Sequence, residues 1–146
     1  MTGLQLKPGT SWWETYARCV STAPEAFESD RLLNLFDGRW QRVGRPGYHV
    51  NPVDGTSIQG PPQVDRDTAA AAVDAAVRQH DEWGKVELDE RKERVTAAVD
   101  MMAANRDLLA LLLVWEIGKP WRLACADVDR GLDGVRWYVE EIDRQL

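Results

Sequence analysis

Residues 108–120 read LLALLLVWEIGKP, and the reading of this stretch decides the kind of molecule the chain makes. From Leu108 to Trp115 every side chain is apolar, so a helix here has no polar face and expects cover from several directions. The run is far shorter than the roughly 18 residues of a membrane-spanning helix, which places it in a protein core. Gly118-Lys119-Pro120 stops it, because Gly tolerates the left-handed position after the last turn and Pro cannot extend the preceding ladder. Working outward, Asn105 offers an N-cap for a helix over 106–117. A helix beginning near Asp89 places Val95, Ala98, Val99 and Met102 on a buried stripe. Before it, Asp65 caps a helix in which Ala69, Ala72, Val73, Ala76, Val77, His80 and Trp83 recur at spacings of three and four, and Gly84 closes it. After Pro120, Ala124, Cys125, Val128, Leu132, Val135, Tyr138 and Ile142 line one side of a last helix. Asp127, Arg130, Glu140 and Arg144 lie on its solvated side.

The N-terminal third has a different period. Residues 1–30 form a leader in which Ser11-Trp12-Trp13-Glu14 fits a capping box opening a short helix to about Val20, ended by Pro24. Trp12 and Trp13 are read as cover for an apolar surface of the same or a neighbouring subunit. Asn34-Leu35-Phe36 and Arg39-Trp40-Gln41 flank Asp37-Gly38, a pair that accepts the positive φ angles of a tight hairpin turn. A loop over Val43 to Gly47 follows. Tyr48-His49-Val50 then reads as a strand broken at Asn51-Pro52, turning at Asp54-Gly55 into Thr56-Ser57-Ile58, with Pro61-Pro62 as the boundary to helix. The chain by itself is therefore mainly α with a small N-terminal β-hairpin region.

Its 146 residues suit one domain, and the net charge of −6 removes the basic field that nucleic-acid binding needs. Met1 to Thr10 shows no charged start followed by an apolar stretch, so no secretory signal is read and the expected setting is cytoplasmic, off the membrane. Cys19 and Cys125 lack close-spaced thiol or His partners, which leaves neither a zinc motif nor a disulfide framework. Cys125 reads as a small apolar filler with neither a helix N-terminus nor a cation beside it. His49 and His80 have no nucleophile or carboxylate at a meaningful spacing, and Glu140, Glu141 and Asp143 read as a solvated helix end. No phosphate-cradling glycine loop occurs, since Gly118-Lys119 closes a helix and does not open one. The residues alone show no complete active site.

The order of motifs adds a further reading. Leu35-Phe36-Asp37-Gly38-Arg39-Trp40 comes first, then Val50-Asn51-Pro52-Val53-Asp54-Gly55, then the Ala-rich helix ending in Trp83. Arg91 opens the next helix, followed by Glu116-Ile117-Gly118-Lys119-Pro120 and by Ala126-Asp127-Val128-Asp129-Arg130 leading to Trp137-Tyr138. This succession, from about Leu32 onward, resembles the N-terminal part of the aldehyde dehydrogenase superfamily. The resemblance implies that residues 31–146 are an incomplete cofactor-binding domain, whose hairpins and helices pack on a Rossmann-like sheet from later sequence, making the complete enzyme α/β. It implies oxidation of an aldehyde by a cysteine nucleophile through a thiohemiacetal, hydride transfer to NAD or NADP, and hydrolysis by a glutamate-activated water. The family's cysteine, general-base Glu, oxyanion Asn and nucleotide-binding Lys and glycine turn have no counterpart here, so no catalytic and no cofactor-binding residue is assigned.

One ligand feature carries over from that resemblance. Some members hold a monovalent cation with backbone oxygens before Asn-Pro and an acid before the Gly-Lys-Pro turn, which correspond to Val50 (or His49) and Glu116. Two departures stand out: His80 replaces the usual aromatic, and the Trp12-Trp13 leader is longer than in many members. The expected partners are the remainder of the subunit and, when complete, further copies of it. The competing reading is a free-standing helical interaction module derived from this segment. Burial of Leu108, Leu111, Leu112, Val114 and Trp115 discriminates: full cover within the chain removes the main physical support for the incomplete-domain reading.

Overall fold

A computed structural model describes residues 10–145, so the reading of Met1 to Thr10 as free of a signal falls almost wholly outside the described residues. Two compact units are present, one joining residues up to Thr15 to those from Glu87 onward, the other running from Tyr16 to Val86. Helix α1 (Trp12–Thr22) opens with the expected capping box. The Ser11 N–H and hydroxyl donate to Glu14 Oε2 at 2.7 and 2.8 Å, and the Glu14 N–H donates to Ser11 Oγ at 3.2 Å. Trp12 is buried, whereas Trp13 is 75% exposed.

In the Tyr16–Val86 unit, strands β1 (Phe27–Glu28) and β2 (Arg31–Leu32) form a small hairpin that the sequence pattern did not show. Ser29 and Asp30 turn it with φ of 48° and 58°. Tyr16 meets Phe27 edge-on at 5.6 Å and donates its hydroxyl to Asp30 O at 2.6 Å, tying the hairpin to α1. The expected second hairpin pairs β3 (Asn34–Phe36) with β4 (Arg39–Gln41) around Asp37 and Gly38, both at positive φ.

Strand β5 (Arg45–Val50) begins earlier and strand β6 (Ser57–Gln63) ends later than expected, taking in part of the Val43–Gly47 loop and the Pro61-Pro62 boundary. A two-stranded ladder leaves outward positions with no bond to make, so Pro is tolerated there. Close approach is secured by Gly47 opposite Gly60, where a Cβ on Gly47 would sit 2.0 Å from Pro61 O. Helix α2 (Arg66–Trp83) begins as expected, with the Thr68 N–H donating to Asp65 Oδ1 at 2.8 Å. Its apolar stripe is not buried: Ala69, Val73, Ala76, Val77 and His80 are exposed, Ala72 and Trp83 half-buried, and Ala75 on the opposite side is buried.

The other unit packs α3 (Leu88–Ala104), α4 (Arg106–Ile117) and α5 (Trp121–Gln145) together. Asn105 holds the expected N-cap position of α4, where its backbone C=O accepts from the Leu109 N–H at 3.1 Å, but its side chain makes no capping bond to that helix. Its side-chain amide donates to Met101 O at 3.0 Å and closes α3. Leu108, Ala110, Leu111, Val114 and Trp115 are buried, Leu112 is half-buried, and Trp12 meets Trp115 edge-on at 6.2 Å. The all-round apolar helix thus finds most of its cover from α3, α5 and Trp12, within one unit. Uncovered apolar surface lies elsewhere. Ala98 and Met102 of the expected α3 stripe are exposed, and on α5 the stripe is buried at Ala124, Val128 and Leu132 but open at Val135 and Tyr138.

Candidate functional site

One polar constellation joins α4 and its exit turn to α5. Gly118 takes the left-handed conformation at φ 69°, and the N–H groups of Gly118 and Lys119 donate to Val114 O and Leu113 O at 2.9 and 3.3 Å. That turn aims Lys119 at Asp127, which also faces Arg130 at 3.5 Å. Nearby, Arg106 grips Asp129 with both arms, Nε to Oδ1 at 2.5 Å and Nη2 to Oδ2 at 2.6 Å, and reaches Asp107 at 3.1 Å. The Arg106 bonds hold the Asp129 carboxyl below the usual carboxylate range, and Asp129 in turn raises Arg106 above its ordinary value.

The structure corrects one sequence expectation here: a cation does stand near Cys125, whose thiol is among the groups that raise Arg106. The guanidinium is already matched by Asp129. Cys125 is a half-buried residue in the second turn of α5.

The clasp has a pH consequence. A depressed carboxylate contributes stability that is present above its unfolded pKa of about 3.9 and is lost as pH falls through the lower folded value. Asp129→Asn is therefore expected to melt below wild type at neutral pH, with the two curves converging at strongly acid pH. Thermal melts followed by circular dichroism from about pH 7 downward check this. A constant gap across the range would show that Asp129 acts without its charge.

In the other unit, the turn after β5 is closed on itself. The buried Asn51 donates its side-chain N–H groups toward Asp54 Oδ1, Thr56 Oγ1 and Thr56 O at 2.8, 2.7 and 3.1 Å. Its Oδ1 accepts from the N–H groups of Val53 and Asp54 at 2.9 and 3.1 Å. Bonds from Thr56, and then from Asn51, hold the Asp54 carboxyl low.

Val50 ends β5 with an exposed side chain, and Glu116 is an exposed acid in the last turn of α4; they belong to different units. Among the described residues no group of three His, Cys, Asp or Glu is placed to hold a metal ion. His49 is half-buried on β5 opposite Ile58, with Nε2 enclosed and without a hydrogen-bond partner among the described residues. His80 is exposed on α2. Glu140 is solvated as expected, while Asp143 reaches Lys92 of α3 at 2.6 Å and Glu141 pairs with Arg144. The N-terminus of α2 already carries the Asp65 carboxylate, which repels a phosphate.

Among the described residues these groups cap helices, clasp them together and close turns. The family model described as the aldehyde dehydrogenase family matches residues 42–146, well over half of the chain. The chain belongs to the aldehyde dehydrogenase family. The non-phosphorylating aspartate-semialdehyde dehydrogenase of Halomonas elongata is 36% identical over 113 residues, covering 76% of this chain and 23% of that protein. A long-chain-aldehyde dehydrogenase of an Acinetobacter species is 30% identical, covering 75% of this chain and 22% of the relative. The NADP(+) succinate-semialdehyde dehydrogenase of Escherichia coli is 30% identical, with 76% and 23% covered. The chain thus spans less than a quarter of the length of these curated relatives. No solved structure gives a significant match. Among the described residues no helix is long and apolar enough to cross a membrane.

Proposed function

We propose that these 146 residues serve as the N-terminal part of a cytoplasmic, NAD(P)-dependent aldehyde dehydrogenase that oxidises an aldehyde to a carboxylic acid through a cysteine thiohemiacetal. The reading is carried by one observation: the family match spans 42–146, yet the chain corresponds to less than a quarter of relatives that are named for acting on aldehydes. Its own polar groups support the same division of labour, since they are spent on helix caps, ion-pair clasps and one closed turn. The described residues do not fit a dinucleotide, because no glycine-rich turn opens a helix and the α2 N-terminus is filled by a carboxylate. NAD or NADP is assigned to the remainder of the subunit, which is also the chain's first partner; the complete enzyme is proposed to be a homo-oligomer. From the resemblance alone, Glu116 and the backbone at Val50 are assigned to a monovalent-cation site.

A second reading, a non-catalytic helical interaction module, draws on the cover that α4 finds within its own unit. Both readings expect no aldehyde-dependent NADH or NADPH formation from the isolated chain. Turnover that disappears in Cys125→Ser would overturn both. They part when the chain is grafted into a relative in place of the matched segment: dehydrogenase activity in the graft supports the enzyme reading, and a folded but inactive graft supports the module.

A further inference from the structure

Three Asp-Gly pairs occur in the chain, Asp37-Gly38, Asp54-Gly55 and Asp133-Gly134, and they share one chemical liability. The glycine has no side chain to hinder the approach of its nitrogen to the carboxyl of the aspartate before it. The fold treats the three pairs differently. Gly134 lies within α5, where its N–H belongs to the helix ladder, and Asp133 faces Arg136 at 3.6 Å. The Gly55 N–H donates to Asn51 O at 3.1 Å, and Asp54 Oδ1 accepts from the Asn51 amide and from the Thr56 N–H and hydroxyl at 2.8, 2.9 and 2.8 Å. Those bonds favour the ionised Asp54, and an ionised carboxylate is a poor electrophile. At the turn between β3 and β4, Asp37 and Gly38 are both exposed. Among the described residues neither the Asp37 carboxylate nor the Gly38 N–H has a hydrogen bond or an ion pair. The strands that this turn joins are three residues each and bury none of them, so opening them locally costs little.

We propose that Asp37-Gly38 is a self-modification site, at which aspartate isomerises to isoaspartate through a cyclic imide, while the fold withholds the other two pairs from the same reaction. The Gly38 nitrogen attacks the carboxyl carbon of the protonated Asp37 side chain. The new C–N bond forms as a C–O bond breaks, the nitrogen gives up its proton, and one water leaves. One water then opens the imide. Attack at the side-chain carbonyl restores aspartate, and attack at the main-chain carbonyl leaves the chain running through the side-chain carbon with the α-carboxylate free. Composition is unchanged overall, so water is the sole co-reactant. Isoaspartate adds one carbon to the backbone of a two-residue turn, and the product no longer sets Leu35 opposite Trp40.

The test incubates the full chain for several weeks at mildly acidic pH. Isoaspartate in the peptides spanning each pair is then measured by methyl transfer from labelled S-adenosylmethionine with an isoaspartyl methyltransferase, followed by mass spectrometry. The peptide holding Asp37 is expected to carry at least about tenfold more than those holding Asp54 and Asp133. In urea, where every turn is open, the three are expected to agree within about threefold. Thr56→Val removes the hydroxyl bond to Asp54 and is expected to raise isoaspartate there several-fold while leaving the Asp37 figure unchanged. The wild-type ratio carries the test if that variant unfolds. Equal amounts at the three positions in the folded chain, or most of it at Asp54 or Asp133, overturn the proposal, as does an Asp37 peptide that stays unmodified. No rise at Asp54 in a folded Thr56→Val overturns the protection assigned to its bonds.

Discussion

Leu111→Ala is expected to lower the unfolding free energy by about 3 kcal/mol, read as a lower urea midpoint at unchanged slope. Leu111 is fully enclosed, as are its neighbours Ala110 and Val114, and Ala124 on α5 is enclosed too. Truncating it removes the transfer free energy of the lost carbons and leaves a cavity that a close-packed surround fills only in part. The half-buried Leu112, one position along the same helix, supplies the control. Leu112→Ala loses less apolar contact and opens its gap toward solvent, so about 1 kcal/mol is expected. Equal losses at the two positions would mean that α4 does not sit against α3 and α5 as described. A loss below about 1 kcal/mol at Leu111 would mean that its surround collapses freely into the space.

The same helix shows how far the sequence could be read. An unbroken apolar run identifies a helix that needs cover on every side, and the left-handed stop at Gly118 is legible from residue types alone. What supplies the cover is a matter of tertiary neighbours, and here most of it is local: α3, α5 and Trp12. For α2 the periodicity located an apolar stripe, but the structure leaves that stripe exposed and buries Ala75 on the opposite side, because alanine-rich turns carry too weak a pattern to say which side packs. Asn105 was ambiguous for a chemical reason. Its side chain can accept from a following helix or donate to a preceding one, and the carbonyl of Met101 took the donor. Two-residue strands such as β1 and β2 are too short to have a period, leaving only the turn-tolerant Asp30 as a trace. At the α4–α5 clasp, Asp127 and Asp129 were visible as charges, but their partners Lys119 and Arg106 come from α4 and its exit turn. Only packing reveals that Arg106 stands against both Asp129 and Cys125. The family assignment came from motif order, which survives where the individual contacts cannot be foreseen.

Asn51→Ala is expected to cost about 2–3 kcal/mol, the second large effect, although it deletes no apolar surface of consequence. The Asn51 side chain is the hub of the turn between β5 and β6: its oxygen accepts two backbone N–H groups, and its amide reaches the carboxylate of Asp54 and both oxygens of Thr56. Alanine leaves the Val53 and Asp54 N–H groups without their acceptor in a site that the fold encloses, and unmet buried donors are costly. Asn51→Asp separates hydrogen bonding from charge. It keeps the acceptor for the two N–H groups but points a carboxylate at Asp54 Oδ1, where the amide now donates at 2.8 Å. Burial and the neighbouring charge both raise the pKa of such a group, so its penalty is present at neutral pH and is relieved as pH falls through that raised value toward the ordinary carboxylate range. Denaturation at neutral and acid pH should therefore find Asn51→Asp the less stable of the two variants when neutral, with the difference narrowing or reversing in acid. If Asn51→Ala stays within about 0.5 kcal/mol of wild type, the turn is held by Gly55 and the two backbone bonds between residues 51 and 55–56 alone. Asn51 would then be dispensable to the hairpin whose end carries Val50.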